Sequence, residues 1–521
     1  MLDFENKGSG TLYNTSDIKP AVLRNCLNHI LFRFVGKVIK RCRFKYDFVV
    51  KCNKIKWEAY MERKVAWNTY NKTDLRKLET TAKEYRAFLD AGKTERECVV
   101  GTIERAKAAG YRNLKDVILE NGTLKAGDRV YADCMGKAIM LFIVGKQRME
   151  KGFNIIGAHI DSPRMDLKQN PLYEDSGLAF LDTHYYGGIK KYQWVTIPLA
   201  LHGVVAKKDG TVINVVIGED EDDPVVGISD LLIHLSAEQL QKKAAEVIGG
   251  EELNVIIGGL PLKDEEKEPV KANMLKILKE KYDIDEEDFL SAEIEVVPAG
   301  KSRDLGFDRS MILGYGHDDR VCAFAQIKAM LDIKTTPDAT CCCILADKEE
   351  IGSVGATGMH AKYFENTVAE IMNLTGEYSE LKLRRALTNA HMLSCDVSAG
   401  FDPNFAGVFE KKNSAFLGMG VCFNKYTGAR GKSGSNDANA EYMAKLRKWM
   451  DDGKVSCQTA ELGKVDAGGG GTIAYICAEY GMEVIDSGVA VLSMHAPWEI
   501  ISKADLYEAF KAYRTFLLKA E

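Results

Sequence analysis

Four short apolar runs in this chain of 521 residues stop in the same way, each just before side chains of the type that bind metal ions. Residues 153–157 run into His159 and Asp161, and 340–345 into Asp347, Glu349 and Glu350. Residues 391–395 run into Asp396, and 489–493 into His495. Short apolar runs bounded by turn signals read as buried strands, and helical patterns separate them, so the chain is held to an α/β architecture: a mixed central sheet covered by helices. In such sheets ligands collect beyond the carboxyl ends of the strands, which points all four runs at one crevice. A fifth contributor is GYGHDDR, where Gly314 and Gly316 punctuate the chain before Asp318 and Asp319 and a helical pattern follows from Val321.

Taken singly, each residue has a plainer explanation. A lone histidine is more often a hydrogen-bonded structural residue, and adjacent acids such as Glu349 and Glu350 usually sit on a solvated face. Joint placement carries the inference, because zinc takes imidazole nitrogen and carboxylate oxygen and a catalytic site keeps a position open. Two divalent ions lower the pKa of a water and stabilise an oxyanion, which are the two needs of peptide hydrolysis. Adjacent acids suit a division in which one binds metal and the other serves as general base. Asp161, two residues after His159, is placed to orient that imidazole through its second nitrogen.

Composition fits a folded protein of several units, with 46% apolar and 28% charged residues and a net charge of −5. Nothing in it suggests a nucleic-acid partner. No apolar stretch is long enough to span a membrane and the N-terminus lacks the order of a secretion signal, so a cytoplasmic protein without a membrane partner is expected. The thirteen cysteines include no CxxC pair and three adjacent members at Cys341, Cys342 and Cys343. They read as reduced, mostly buried thiols.

Residues 1–60 stand apart, with twelve Lys and Arg against five Asp and Glu, and read as a basic extension. Within it 27–39 has the spacing of a surface-seeking amphipathic helix. An ordinary helical pattern follows, with Leu75, Leu78, Tyr85, Phe88 and Leu89 among Lys and Glu. We therefore expect a catalytic domain in two parts, 61–166 and 306–521. Between them, 167–305 has β-like runs, an acidic stretch and lysine-rich helical segments, and reads as an inserted domain.

Two glycine-rich passages invite other readings. YTGARGKS fails the phosphate-loop spacing because Tyr426 stands where glycine is required, and GGGGTIA does not follow an apolar strand. Residues 468–472, with Gly470 and Thr472, read either as a backbone cradle for a substrate carbonyl or carboxylate or as a tight turn. Lys425 and Arg430 either meet an acidic substrate side chain or are solvated. No G-x-S-x-G elbow occurs and Cys322, Cys395 and Cys422 lie in apolar contexts, which argues against a serine or cysteine nucleophile.

The segments GAHIDSP, GHDDR, DKEEIGS, SCDVSAGFDPNF and LSMHAPWE occur in an order that resembles the aspartyl aminopeptidase and aminopeptidase I family of two-metal peptidases, in particular its bacterial branch. The resemblance runs from about Met61 to the C-terminus. It implies a zinc-peptidase fold with a β-rich dimerisation insert, and an aminopeptidase acting on peptide substrates through two divalent ions, zinc first, with manganese or cobalt as alternatives. By the same resemblance His159, Asp318, Glu350, Asp396 and His495 are the metal ligands, Asp318 bridging, and Glu349 is the base. Dimers of relatives assemble into hollow dodecamers, and His234 stands where the family has a histidine of the insert that reaches a neighbouring subunit's site. The aspartyl-specific eukaryotic branch has histidines where this chain has Ala399 and Asp402, so acidic specificity is not carried over. A related two-metal deacylase or carboxypeptidase, or a non-catalytic self-assembling scaffold, are the competing readings.

Overall fold

In the computed structural model the described residues are 64–520, so the basic extension and its amphipathic stretch at 27–39 lie outside them. A nine-stranded mixed sheet forms the centre, in the order Arg112–Asn113, Arg129–Cys134, Ala138–Ile143, Cys341–Ala346, Asn154–His159, His391–Ser394, Glu483–Gly488, Val421–Asn424 and Cys457–Thr459. Its middle is parallel: Asn154–His159 lies between Cys341–Ala346 and His391–Ser394, and the latter pairs in parallel with Glu483–Gly488.

Strand periodicity explains the two cores. Cys341, Cys343 and Leu345 face one layer, with Ile156, Ala158, Leu393 and Ile485, under the helices Lys72–Ala91, His317–Asp332 and Lys503–Lys519. Cys342 and Ile344 face the other, with Ile155, Met392 and Val484, under Tyr363–Leu374 and Glu380–Thr388. Successive side chains of a strand point to opposite faces, so a run apolar at every position belongs in a sheet covered on both sides. The three adjacent cysteines are packing residues of that kind, and all ten described cysteines are free thiols.

The helix Lys72–Ala91 begins at an Asn71 cap with Asp74 closing a capping box, and buries Leu78, Ala82, Tyr85 and Leu89 along one stripe. Leu75, which shares the expected spacing, is 41% exposed in the first turn of the helix. Among the described residues no helix is long and apolar enough to cross a membrane.

A second sheet of six antiparallel strands is formed entirely from residues 164–298, in the order Val212–Ile217, Leu199–Ala206, Ala292–Pro298, Arg164–Asp175, Leu178–Tyr186, Val255–Gly258. Its own core holds Met165, Leu181, Trp194, Leu199, Val255 and Val296, with the helix Pro269–Tyr282 packed against it through Met274 and Leu278. A third, five-stranded sheet joins Arg303–Leu305, Met311–Gly314, Glu499–Ser502, Ala490–Leu492 and Ser398–Ala399.

Candidate functional site

Three of the four apolar runs are neighbouring parallel strands whose ends lie level. Ala346 pairs with His159, and Ser394 with Gly157, so Glu349, Glu350, Asp396 and His159 emerge from one edge of the sheet. The strand order reverses at Asn154–His159, the position where open sheets form a crevice. The fourth run differs from expectation. It is the strand Ala490–Leu492 of the small sheet, which pairs with Glu499–Ser502, and that strand pairs in turn with Met311–Gly314. The small sheet therefore brings His495 and Asp318 in from the side.

Sharp turns finish the delivery. Lys348 just before Glu349, and Ser493 and His495 themselves, take left-handed backbone conformations that non-glycine residues adopt rarely. Gly316, also left-handed, opens the helix that carries Asp318, and a Cβ there would stand 2.3 Å from Arg320 Nη1.

Asp318 is the centre of the constellation. Its Oδ1 lies 3.2 Å from His159 Nε2 and its Oδ2 lies 3.3 Å from His495 Nε2. His495 Nε2 is 3.5 Å from Glu350 Oε2, and His159 Nε2 is 3.8 Å from Glu349 Oε2. The other nitrogen of each ring is already engaged: His159 Nδ1 is 3.0 Å from the main-chain oxygen of Asp161, and His495 Nδ1 is 2.8 Å from that of Gly188. A carbonyl only accepts, so each Nδ1 carries the hydrogen and a neutral ring turns its Nε2 lone pair toward Asp318. Two lone pairs facing each other across about 3 Å repel unless a proton or a metal ion lies between them, and imidazole nitrogens set around one carboxylate are the donor types that zinc takes.

The electrostatics agree. Burial, then the nearby Asp318, pushes Glu350 well above the usual carboxylate range, and burial with Asp319 and Glu349 does the same to Asp396. Glu349 is pushed up to about 7 by burial, with Asp161 and Asp318 adding to it. Burial works against protonation of His495, yet the Asp318 carboxylate outweighs it and raises the ring to about 10, so this pair holds a proton wherever a metal ion does not take its place. So many buried carboxylates call for positive charge. Asp318 Oδ1 and both carboxylate oxygens of Asp319 are buried without a hydrogen-bond partner. Ligand-type atoms of His159, Asp318 and Glu350 come within 4.8 Å of one another, as do those of His159, Asp319 and Asp396. Asp319, joined to Asp318 by a cis peptide bond, thus stands beside the predicted ligand set.

Asp161 does more than face an imidazole. Its Oδ1 accepts the Glu349 N–H at 3.2 Å, and its Oδ2 accepts the Glu350 N–H at 3.1 Å and the Tyr186 hydroxyl at 2.8 Å. Sequence patterns miss Tyr186 entirely. They also pass over Glu499, whose buried carboxylate takes the N–H of Asp318 at 3.0 Å and of His495 at 2.7 Å. Its sequence signal is that it closes the segment LSMHAPWE, at the start of the apolar strand Glu499–Ser502.

The remaining predicted residues lie outside this cluster of contacts. Lys425 is ion-paired with Asp437 at 2.7 Å, and Lys432 reaches the same carboxylate at 2.9 Å. The N–H of Gly470 is given to Thr427 O, and that of Gly468 to Lys464 O. Thr472 donates its hydroxyl to buried Asp486 at 2.6 Å and accepts the N–H of Ala474. His234 is exposed on a turn of the segment 164–298, among exposed Leu231, Leu232, Ile233 and Leu235.

The sequence profile described as aminopeptidase I zinc metalloprotease (M18) matches residues 88–517. A probable M18 family aminopeptidase 1 of Clostridium acetobutylicum is 62% identical over 457 residues, covering 88% of this chain and 98% of that protein. The crystal structure of an M18 family aminopeptidase from Thermotoga maritima superposes with a TM-score of 0.84 at 47% identity, covering 88% of this chain and all of that one. A structure described as the S. cerevisiae mApe1 dodecamer shares the fold at 21% identity, with a TM-score of 0.68, over 84% of this chain and 95% of that one.

Proposed function

The chain belongs to the aminopeptidase I (M18) family of zinc metalloproteases and is a metallo-aminopeptidase, and on that premise we propose that it removes N-terminal residues from peptides at a two-metal centre with Glu349 as general base. The observation that carries this reading is Asp318, each of whose oxygens faces the Nε2 of a different histidine. A carboxylate so placed would be shared by two ions. His159 and Asp396 would help hold one ion, and Glu350 and His495 the other. When bound, two zinc ions, or manganese or cobalt in their place, supply an acidified water and a positive field for the oxyanion of the scissile carbonyl.

The protein's own groups do the rest. Glu349, whose Oε2 stays 3.8 Å from His159 Nε2, would take a proton at its carboxylate and return it to the leaving amine. Asp161 fixes the backbone of both glutamates, and Glu499 that of Asp318 and His495. Gly470, Thr472 and Lys425 form the substrate-facing side of the crevice, with Lys425 free to meet an acidic side chain only by leaving Asp437.

Residues 167–305 act as the dimerisation domain between the two parts of the catalytic domain, and dimers assemble further, to a dodecamer. Exposed Leu231, Leu232, Ile233 and Leu235 favour a surface that a second copy covers, which would bring His234 to the neighbouring crevice. The free thiols fit a cytosolic location.

Chelation followed by metal addition tests the reading: a chelator abolishes hydrolysis of aminoacyl amides, zinc, manganese or cobalt restores it, and substrates with a blocked α-amino group stay intact. Chelator-resistant turnover would overturn it, and cleavage of blocked substrates would favour a related deacylase.

A further inference from the structure

We propose that Tyr186, which belongs to the six-stranded sheet, is a positioning residue for the metal crevice, holding Asp161 and through it the paired glutamates Glu349 and Glu350. This rests on the reading of Glu349 and Glu350 given above. Tyr186 ends the strand Leu178–Tyr186 and is buried, and its hydroxyl reaches Asp161 Oδ2 at 2.8 Å. That oxygen also takes the Glu350 N–H, while Oδ1 takes the Glu349 N–H. One carboxylate thus ties the sheet of residues 164–298 to the turn that presents both glutamates.

The phenol is itself held in place. The Arg164 guanidinium stacks 3.9 Å from its ring centroid, and Arg164 is buried and paired with Asp166 at 2.8 Å and Glu295 at 3.1 Å, all on the same sheet. The next two residues reach the crevice as well. A Cβ on Gly187 would stand 3.3 Å from Glu350 Oε2, and the oxygen of Gly188 fixes His495 Nδ1 at 2.8 Å. The turn 186–188 therefore touches Asp161, Glu350 and His495 together, and the second sheet sets the geometry of a centre whose ligand-type residues all come from elsewhere.

Partners that orient ligand-bearing groups typically change metal affinity or activity about 10- to 100-fold when removed. Tyr186→Phe keeps the ring and its stacking on Arg164 and removes only the hydroxyl. In the full-length protein we expect zinc affinity, measured on metal-free protein by competition with a chromophoric chelator, to fall by about that factor. We expect kcat to fall with it, while KM stays within about threefold and thermal stability is nearly unchanged. Wild-type zinc affinity together with wild-type kcat would overturn the proposal. So would a lower melting temperature with unaltered kcat per folded molecule, since that is the mark of a phenol that only fills space. Glu349→Gln measured alongside separates the two ideas: full turnover in that variant removes the general-base reading, whereas the zinc competition on Tyr186→Phe still decides the role of Tyr186.

Discussion

The metal crevice and the glycine-rich face beside it are built on opposite principles. In the crevice, carboxylates spend their hydrogen bonds on backbone from distant elements, as Asp161 does on Glu349 and Glu350 and Glu499 on Asp318 and His495, and leave other oxygens unpartnered. On the face that runs from Lys425 to Thr472 most groups satisfy one another: two lysines share Asp437, Lys432 lies 3.8 Å over the Tyr426 ring, and two glycine N–H groups end on nearby carbonyls, while the Thr427 hydroxyl is buried without a partner. Buried polar groups are normally paired, so unspent capacity marks the place where a ligand is missing from the protein's own accounts. By that criterion the crevice is the stronger candidate for a ligand and the face the weaker.

The sharpest way to break this comparison is Glu349→Gln. It keeps the side-chain shape and the backbone N–H that Asp161 accepts, and removes only the capacity to take a proton. We expect kcat to fall by about 10²- to 10⁴-fold, the usual range for a positioned general base, with zinc content unchanged by elemental analysis. Turnover close to wild type would put the base elsewhere.

How far the crevice could be read from sequence follows from the same contrast. His159 ends one strand of the sheet, and Glu349, Glu350 and Asp396 stand two to four residues beyond the ends of its neighbours, so a local pattern of apolar run and ligand type was enough to assign them to one cluster. The pattern could not tell that the run before His495 joins a different sheet, because periodicity records burial and not the partner strand. Tyr186 is 25 residues from Asp161, and Gly188 is 307 from His495, and their contacts exist only through the packing of one sheet on another. Asp319 was visible beside Asp318, but nothing in GHDDR says that both side chains turn inward. The glycine run had two readings, cradle or turn: the N–H of Gly468 closes on Lys464 as in a turn, while that of Gly470 reaches the carbonyl of Thr427 in another segment.

Asp486 lies where the two regions meet, on the strand Glu483–Gly488 with Thr472 of the glycine-rich face on its carboxylate. Burial raises it from 3.8 to about 7. The folded state thus holds this proton more tightly than the unfolded chain, so the stability that Asp486 contributes declines as pH rises from 3.8 to about 7 and is level above that. Asp486→Asn has no proton to lose there. Melting curves of wild type and variant at about pH 5 and about pH 7.5 should therefore diverge, wild type losing more by an amount on the order of a few kcal/mol. Equal losses would mean that Asp486 is ionised throughout and that the face is more solvated than its burial indicates.

The smallest effect concerns Lys425. Its pair with Asp437 is about half exposed on both sides, and pairs of that kind are worth about 0–1 kcal/mol, so freeing the ammonium for a substrate costs little and gains little. Asp437 also keeps Lys432 when Lys425 is gone, which leaves the local charge balanced. Lys425→Ala should then lower kcat/KM by no more than about fivefold, and only for substrates whose N-terminal residue is acidic. Profiling acidic against neutral aminoacyl amides reads this directly. An equal loss on both classes would assign Lys425 to the shape of the face, and no loss on either would take it out of the site, because a side chain that recognises charge must discriminate by charge.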